Sequence, residues 1–219
     1  MTTIIPAILT NSLHDFSEKV EQVKEFPKVS DVQIDFADNN FVHNLTLLPA
    51  QIPSLPLQLT FTAHLMVQKP ALYFTDLEKS GFEGVAMHWE SFPDEMAFQE
   101  TFAYARTFGL KPQLAINPTT PLEKVKPFFK FIDSILIMGV NPGFYGSKYV
   151  PETEERVSFL RLNDFYGIIF VDGGVTRDKV RPLISAGADA LVVGSAIWTS
   201  KNPKESFIEL LKETGESST

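Results

Sequence analysis

The stretch Gly167-Ile168-Ile169-Phe170-Val171-Asp172-Gly173-Gly174 is an apolar run that ends in one acidic residue and two glycines. A short run that is apolar throughout, rather than alternating, is typical of a parallel β-strand covered on both faces. Glycines directly after such a strand permit close approach of a ligand, because they carry no side chain. The stretch therefore predicts a buried strand of an α/β protein, with functional groups where the strand ends.

Seven further strand candidates occur along the chain, at residues 3–9, 29–36, 57–63, 83–88, 110–116, 133–138 and 189–193. Helical patterns lie between them, at about 12–25, 70–80, 94–108, 121–130, 151–161, 177–186 and 203–213. Start signals at Ser12, Pro121 and Pro203 support three of these helices. Residues 49–53 (PAQIP) are too rich in proline for a good helix, so that crossover should be short or irregular. Eight strands alternating with helices favour a single closed (β/α)8 TIM barrel. An open doubly wound sheet is the alternative, because periodicity does not reveal closure.

Composition narrows the class of protein further. A chain of 219 residues with a hydrophobic fraction of 44% fits one soluble globular domain over residues 1–213, followed by a polar tail at 214–219. The net charge of −8 argues against a nucleic-acid-binding surface, which needs clustered Lys and Arg. The absence of cysteine excludes disulfides, thiol nucleophiles and thiolate metal sites. No stretch approaches the roughly 20 apolar residues that span a bilayer, and MTTIIPAIL carries no cationic leader. We expect a cytoplasmic protein with no membrane partner.

Polar groups at the ends of three predicted strands could form one site. Gln33 and Asp35 lie two apart on a strand and therefore face the same side. Asp35, flanked by apolar residues, is costly to bury unless it is paired, bound to a metal or catalytic. His64 is expected at the exit of the third strand, and Asp172 ends the seventh. Because the strand ends of a β/α barrel share one mouth, these groups should converge. Loop capping by Asp35 and Asp172, and a structural role for His64, are the alternatives.

Three glycine-containing loops are candidates for holding a phosphate. The run Asn141–Gly146 (NPGFYG) follows the sixth strand, and its backbone N–H groups could point at an anion. Gly173-Gly174 follows the seventh strand, and Gly194-Ser195 follows the eighth, at the start of a short predicted helix. The loops after the seventh and eighth strands often bind phosphate in β/α barrels. Together the three loops predict a ligand that carries a phosphate.

Longer motifs connect these segments to a known family. They are NNFVHNLT (residues 39–46), HLMV (64–67), IMGVNPGFYGSKYVPE (137–152), VDGGV (171–175) and AGADALVVGSAI (186–197). With these motifs in this order, the chain resembles the ribulose-phosphate 3-epimerase family from Pro6 to Trp198. The long segment around NPGF is the most specific of them, whereas DGG and GS alone would be weak.

The resemblance implies a ribulose-phosphate-binding barrel with a divalent metal ion held through His, Asp, His and Asp. Asp35, His64 and Asp172 match three of these positions, and the two aspartates match the family's catalytic acid and base. Gln33 stands where the family has its first histidine, so a neutral amide replaces an imidazole. The metal could be Zn, Mn, Fe or Mg, bound weakly. Ala7 stands where the family motif PSIL has a serine that contacts substrate.

The resemblance also implies a set of residues that contact the sugar phosphate. These are His64, Gly143, Phe144, Tyr145, Gly146, Gly173, Gly174, Gly194 and Ser195. Three further residues are candidates for support from behind the site, and these are His88, Met66 and Met138.

The implied reaction interconverts D-ribulose 5-phosphate and D-xylulose 5-phosphate, a step of the pentose phosphate pathway, by proton transfer at C3. The implied protein is a homo-oligomer with a small-molecule substrate. One alternative is an epimerase of another ketose phosphate, such as a ketohexose 6-phosphate. Another is a non-catalytic sugar-phosphate-binding protein whose metal site has decayed.

Related barrels that decarboxylate or condense sugar phosphates carry an Asp-x-Lys-x-x-Asp run at the second strand. The matching positions here are Asp35, Ala37 and Asn40, which disfavours that chemistry.

Overall fold

Eight parallel strands form a closed barrel in chain order in the computed structural model, which describes residues 2–215. The strands are β1 (Thr3–Leu9), β2 (Asp31–Ala37), β3 (Thr60–Met66), β4 (Gly84–His88), β5 (Lys111–Ile116), β6 (Ser134–Met138), β7 (Ile168–Asp172) and β8 (Ala190–Val193). Hydrogen bonding between β1 and β8 closes the barrel, with Thr3 opposite Ala190. The predicted (β/α)8 TIM barrel is therefore confirmed, and the open sheet is excluded.

Within residues 2–215, seven α-helices lie between and after the strands. They are α1 (Leu13–Val23), α2 (Phe74–Ser80), α3 (Glu95–Thr107), α4 (Thr153–Leu162), α5 (Arg177–Ala186), α6 (Ser195–Trp198) and α7 (Pro203–Glu213). The side chain of Ser12 accepts a hydrogen bond from the Asp15 backbone and caps α1, and Asn202 caps α7 in the same way through the Glu205 backbone. Met1 and residues 216–219 of the predicted polar tail lie outside the described residues.

Two sequence predictions of secondary structure are wrong in detail. The predicted helix at 121–130 is instead a pair of 3-10 turns, Leu122–Lys124 and Lys126–Phe128. Pro127 accounts for the difference, because it has no backbone N–H for a continuous helix. The third strand begins three residues later than the predicted start at residue 57 and runs to Met66. His64 therefore lies within the strand rather than beyond its end. The crossover at 49–53 is irregular as predicted, with one 3-10 turn at Pro49–Gln51.

The core has two parts, one outside the strands and one inside the barrel. The larger part packs the outer faces of the strands against the helices and holds most of the buried aromatic side chains, such as Phe36, Phe98 and Phe102. The smaller part fills the barrel axis with mostly small or slender side chains: Ile5, Ala7, Ala86, Ala115, Leu136, Met138, Ala190 and Val192. Such small inner side chains leave room for polar groups above them, near the carboxyl ends of the strands.

The strand register sets which polar residues meet at that end. Asp35 of β2 lies opposite His64 of β3, and Met138 of β6 lies opposite Asp172 of β7. Side chains at matched register positions point to the same side of a parallel sheet, so Asp35 and His64 both project inward. Among the described residues, no helix is long and apolar enough to cross a membrane.

Candidate active site

Three ionisable side chains from three strands meet at the mouth of the barrel. One oxygen each of Asp35 and Asp172 and one nitrogen of His64 lie within 4.8 Å of one another. His64 Nδ1 is 3.1 Å from Asp35 Oδ1 and 3.3 Å from Asp172 Oδ2. All three residues are buried or nearly so. The structure thus brings these residues together, as the sequence led us to expect.

Gln33 joins this group as a hydrogen-bond donor. Its amide nitrogen donates to Asp35 Oδ1 at 2.8 Å and to Asp172 Oδ2 at 2.7 Å. The same nitrogen lies 3.3 Å from His64 Nδ1. Gln33 is 2% exposed, so its amide is shielded from water and its two N–H groups tie the carboxylates together. The amide therefore occupies a position between the three ionisable groups.

Burial and mutual contact change the acidity of these groups. Burial raises the pKa of Asp35, and the nearby charge of Asp172 raises it further, against the opposing effect of His64. Burial alone would lower the pKa of His64, but hydrogen bonds to Asp172 and Asp35, and their charges, raise it to about 9. A buried carboxyl with a raised pKa beside an imidazole with a raised pKa is an arrangement suited to acid–base chemistry.

The three ionisable groups also suit a divalent cation. Zinc lies about 2.0–2.2 Å from nitrogen and oxygen ligands, so adjacent ligands around one ion sit roughly 3–3.5 Å apart. The separations of 3.1 and 3.3 Å around His64 Nδ1 match that spacing. Gln33 could add a ligand only by turning its amide so that the oxygen replaces the nitrogen. Asp35, His64 and Asp172 thus fit a metal ion, while Gln33 as oriented here does not.

The glycine-containing loops lie around the same cavity. Gly173 and Gly174 both have positive φ, 97° and 68°. A Cβ atom on Gly173 would come within 2.4 Å of Val140, and one on Gly174 within 2.8 Å of the Tyr149 ring. Both positions therefore require glycine for backbone conformation and for space. Within residues 2–215, the backbone N–H groups of Gly173, Gly174 and Ser195 donate to no protein acceptor, so they remain available to an anion.

Tyr145 connects the loop after β6 to the opposite side of the barrel. Its hydroxyl donates to the Ala7 carbonyl oxygen at 3.1 Å and accepts from the Leu9 backbone N–H at 2.8 Å. Its ring lies against Gly194, where a Cβ atom would approach the ring to 2.6 Å. The loop is also tied down by Asn44, whose side-chain amide donates to the Gly143 carbonyl oxygen at 2.5 Å. The loop thus closes over the mouth from β6 to β1.

Nearly all the residues singled out from the sequence line this cavity. The lining includes Asp35, His64, Met66, Met138, Gly143, Phe144, Tyr145, Gly146, Asp172, Gly173, Gly174, Gly194 and Ser195. Gln33 lies beneath the carboxylates, and His88 lies behind His64, with 2.9 Å between their Nε2 atoms. Sequence reasoning missed Glu90, whose carboxylate lies 3.4 Å from His88 Nδ1. The spacing His88-Trp89-Glu90 at a strand end was the available signal.

Comparison with known proteins adds information that the geometry does not contain. A sequence model of the ribulose-phosphate 3 epimerase family matches residues 3–198. The chain is 33% identical over 212 residues to a ribulose-phosphate 3-epimerase of Synechocystis, covering 93% of this chain and 90% of that protein. It is 30% identical over 219 residues to a Bacillus subtilis protein of the same name, covering 96% and 98%. A crystal structure of 3-hexulose-6-phosphate synthase from Salmonella typhimurium superposes with a TM-score of 0.70 at 12% identity, covering 97% of this chain and 98% of that chain, which shows a shared fold.

Proposed function

The chain belongs to the ribulose-phosphate 3-epimerase family, and we propose that it interconverts D-ribulose 5-phosphate and D-xylulose 5-phosphate by proton transfer at C3. The observation that carries this proposal is the pair of carboxylates, Asp35 and Asp172, held within 4.8 Å of each other around His64. The direct test is solvent deuterium exchange at C3 of ribulose 5-phosphate. Deuterium that enters C3 of both epimers supports the proposal, and a complete lack of exchange contradicts it.

The two carboxyl groups would act on opposite faces of the sugar. One carboxylate removes the C3 proton, and the other carboxyl group returns a proton to the opposite face of the planar enediolate. The reverse reaction exchanges the two roles. The reaction needs one ionised and one protonated group, and the raised pKa of Asp35 favours Asp35 as the holder of the proton. In the direction of reaction that starts with the proton on Asp35, Asp172 acts as the base.

Between the carboxylates, His64 would stabilise the negative charge that develops on the enediolate oxygens. His64 is cationic at neutral pH, because its pKa is about 9, whereas both N–H groups of the Gln33 amide are already donated to the two carboxylates. Donors that are already fixed in a water-poor site stabilise a developing oxyanion without reorganising. Asp35, His64 and Asp172 could hold a divalent metal only after His64 loses its Nδ1 proton, and the metal, when bound, would polarise the ketone and hydroxyl oxygens as a Lewis acid.

The phosphate would lie against the three glycine-containing loops. The N–H groups of Gly173, Gly174 and Ser195 are available there, and Gly143 and Gly146 line the same cavity. A phosphate held at this distance from C3 supplies binding energy that positions the sugar for proton transfer. Phe144 and Tyr145 would cover the ligand from the loop after β6. Met66 and Met138 would pack beside the sugar, because both line the cavity and are almost fully buried.

Two alternatives and two further properties stay predictions. A ketohexose 6-phosphate would need room for one more carbon between the carboxylates and the glycine-containing loops. A binding protein without activity would gain little from two buried carboxylates, which are costly unless they are used. Assembly as a homo-oligomer and location in the cytoplasm complete the proposal.

Replacement of Gln33 by histidine should increase both metal affinity and turnover. The imidazole would supply the fourth ligand in place of an amide nitrogen that cannot bind a cation. Even supporting residues around metal sites change affinity or activity by about 10–100-fold, so a new direct ligand should have at least that effect. Titration calorimetry with Mn²⁺ and the C3 exchange assay measure the two quantities.

A matched control adds a buried imidazole elsewhere in the barrel. Gln113→His serves this purpose, because Gln113 is 5% exposed on β5 and does not line the cavity. It should change neither quantity. If Gln33→His gains metal but no exchange, the chain is a sugar-phosphate-binding protein. If it gains neither, position 33 is not part of a metal site.

A further inference from the structure

The hydroxyl of Tyr145 lies in a gap between two strands at the mouth of the barrel. Among residues 2–215, the pairing of β8 with β1 ends at Val193 opposite Pro6, so Ala7 and Leu9 lie beyond the last paired position. The Tyr145 hydroxyl takes over there, because it accepts from the Leu9 backbone N–H at 2.8 Å and lies 3.1 Å from the Ala7 carbonyl oxygen. Ala7 and Leu9 both line the cavity, so the hydroxyl lies at the cavity wall.

The ring of Tyr145 is held by its neighbours on both sides. It lies so close to Gly194 that a Cβ atom there would come within 2.6 Å of the ring. Lys19 Nζ is 5.9 Å from the centroid of the Tyr145 ring and 5.5 Å from that of the Trp198 ring, which is within the range of cation–π attraction. An ion pair with Asp15 at 2.7 Å fixes the Lys19 ammonium in turn. The position of the hydroxyl is therefore set before a ligand arrives.

The hydroxyl proton of Tyr145 can turn towards a ligand without breaking a necessary bond. The Ala7 carbonyl oxygen also accepts from the Trp198 indole N–H at 2.6 Å, so it keeps a partner when the hydroxyl turns away. The Leu9 N–H keeps its bond as well, because a hydroxyl oxygen accepts through a lone pair while its proton points elsewhere. No buried backbone group would be left unpaired, which is the usual obstacle to such a change.

The strand register places this hydroxyl at the height of the reacting carbon. Leu9 of β1 lies opposite Asp35 of β2, and the proposed reaction brings C3 of the sugar beside Asp35. Oxygens next to C3 would therefore pass close to the wall that β1 forms. Ala7 and Leu9 have no polar side chain, and a sugar hydroxyl that loses its water against an apolar wall pays a large penalty. The hydroxyl of Tyr145 provides a polar group at this wall.

We propose that the Tyr145 hydroxyl donates a hydrogen bond to a sugar oxygen next to C3, and that this contact makes the site prefer a phosphorylated polyhydroxy ketone to phosphate alone. The inference rests on the proposed function of the same site and adds a specificity-determining contact to it. A covering role for Tyr145 needs only the ring, whereas this role needs the oxygen. The phosphate is held separately, by the backbone N–H groups of Gly173, Gly174 and Ser195.

The substitution Tyr145→Phe tests the hydroxyl alone, because phenylalanine keeps the ring against Gly194. The affinity for D-ribulose 5-phosphate should fall about 10-fold, since one buried polar group of the ligand loses its partner. The affinity for inorganic phosphate should not change. Calorimetry measures both, and thermal melting checks the fold. Adding Ala7→Ser to this variant places a hydroxyl on the same wall of the cavity, and it should restore most of the lost affinity for the sugar phosphate.

Tyr149→Phe is the matched control. It removes a buried hydroxyl from the same loop, at a residue that does not line the cavity, and it should change neither affinity. An unchanged affinity for the sugar phosphate in Tyr145→Phe would overturn the proposal. Equal losses for the sugar phosphate and for phosphate would also overturn it, because the hydroxyl would then act only by holding the loop. Calorimetry needs no turnover, so a lack of C3 exchange in the wild type would count against the epimerase assignment alone.

Discussion

Replacement of Asp172 by asparagine should lower the rate of epimerisation by about 10²–10⁴-fold, the usual contribution of a positioned acid or base. Asparagine keeps the shape of the side chain but cannot take or return a proton. Asp172 is almost fully buried and accepts a hydrogen bond from the Gln33 amide at 2.7 Å. The variant therefore removes a carboxylate that is held in a fixed position. Conversion of ribulose 5-phosphate to xylulose 5-phosphate, followed by NMR, measures the loss.

The remaining carboxylate provides a sharper form of this test. In Asp172→Asn, Asp35 can still remove and return a proton on its own face, so one epimer should continue to exchange C3 hydrogen with solvent. In Asp35→Asn, the other epimer should do so. Asp133→Asn is the matched control, because its side chain is 83% exposed just before β6, at the opposite end of the barrel from the site. If both site variants exchange the same epimer, the reaction uses one base and the two-carboxylate mechanism is wrong.

The substitution Gly194→Asp should weaken sugar-phosphate binding by at least about 100-fold. Two like charges about 4 Å apart near a protein surface repel by about 4 kcal/mol, and each 1.4 kcal/mol is a factor of ten in affinity. A side chain here also meets the Tyr145 ring, because even its Cβ atom would lie 2.6 Å from that ring. Calorimetry with ribulose 5-phosphate and with inorganic phosphate measures the change, and circular dichroism checks the fold.

Gly194→Asn separates the charge from the shape in that experiment. Asparagine meets Tyr145 in the same way but does not repel a phosphate, so it should bind more tightly than the aspartate variant. Equal affinity of the two variants would mean that steric displacement of Tyr145 is the whole effect. Wild-type affinity in Gly194→Asp would place the phosphate elsewhere on the molecule.

Much of the fold was predictable, because parallel strands buried on both faces leave a strong apolar signal. The errors arose where local chemistry overrides the pattern. Pro127 breaks an amphipathic segment into two turns, and the strand that holds His64 begins late, after a turn that follows Pro56. Periodicity reports burial, and it does not report where the backbone hydrogen bonds begin.

The residues of the candidate site could be predicted from the sequence, but the hydrogen bonds between them could not. Asp35 and Asp172 could be placed at one mouth, because all strand ends of a barrel point there. The sequence does not show that the Gln33 amide donates to both carboxylates, since that depends on side-chain orientation. The sequence also does not show that His88 contacts both His64 and Glu90. These contacts depend on distances between neighbouring strands and loops, and the spacing of residues along one segment carries no information about them.

The seam between β1 and β8 has a consequence for how the protein folds. The Thr2 hydroxyl donates a hydrogen bond to the Ala188 carbonyl oxygen, 186 residues away in sequence. In the same region, the Trp198 indole N–H donates a hydrogen bond to the Ala7 carbonyl oxygen. Such distant contacts form late, because the entropy of closing a long loop must be met before they contribute. Until closure, β1 and β8 are open edges that can pair with other chains. The cavity proposed for the sugar phosphate spans this seam, with Ala7 and Leu9 on one side and Gly194 and Ser195 on the other, so a ligand there would bind only the closed barrel. Ligand at 100 times its dissociation constant would then stabilise that state by about 2.7 kcal/mol and suppress aggregation during refolding.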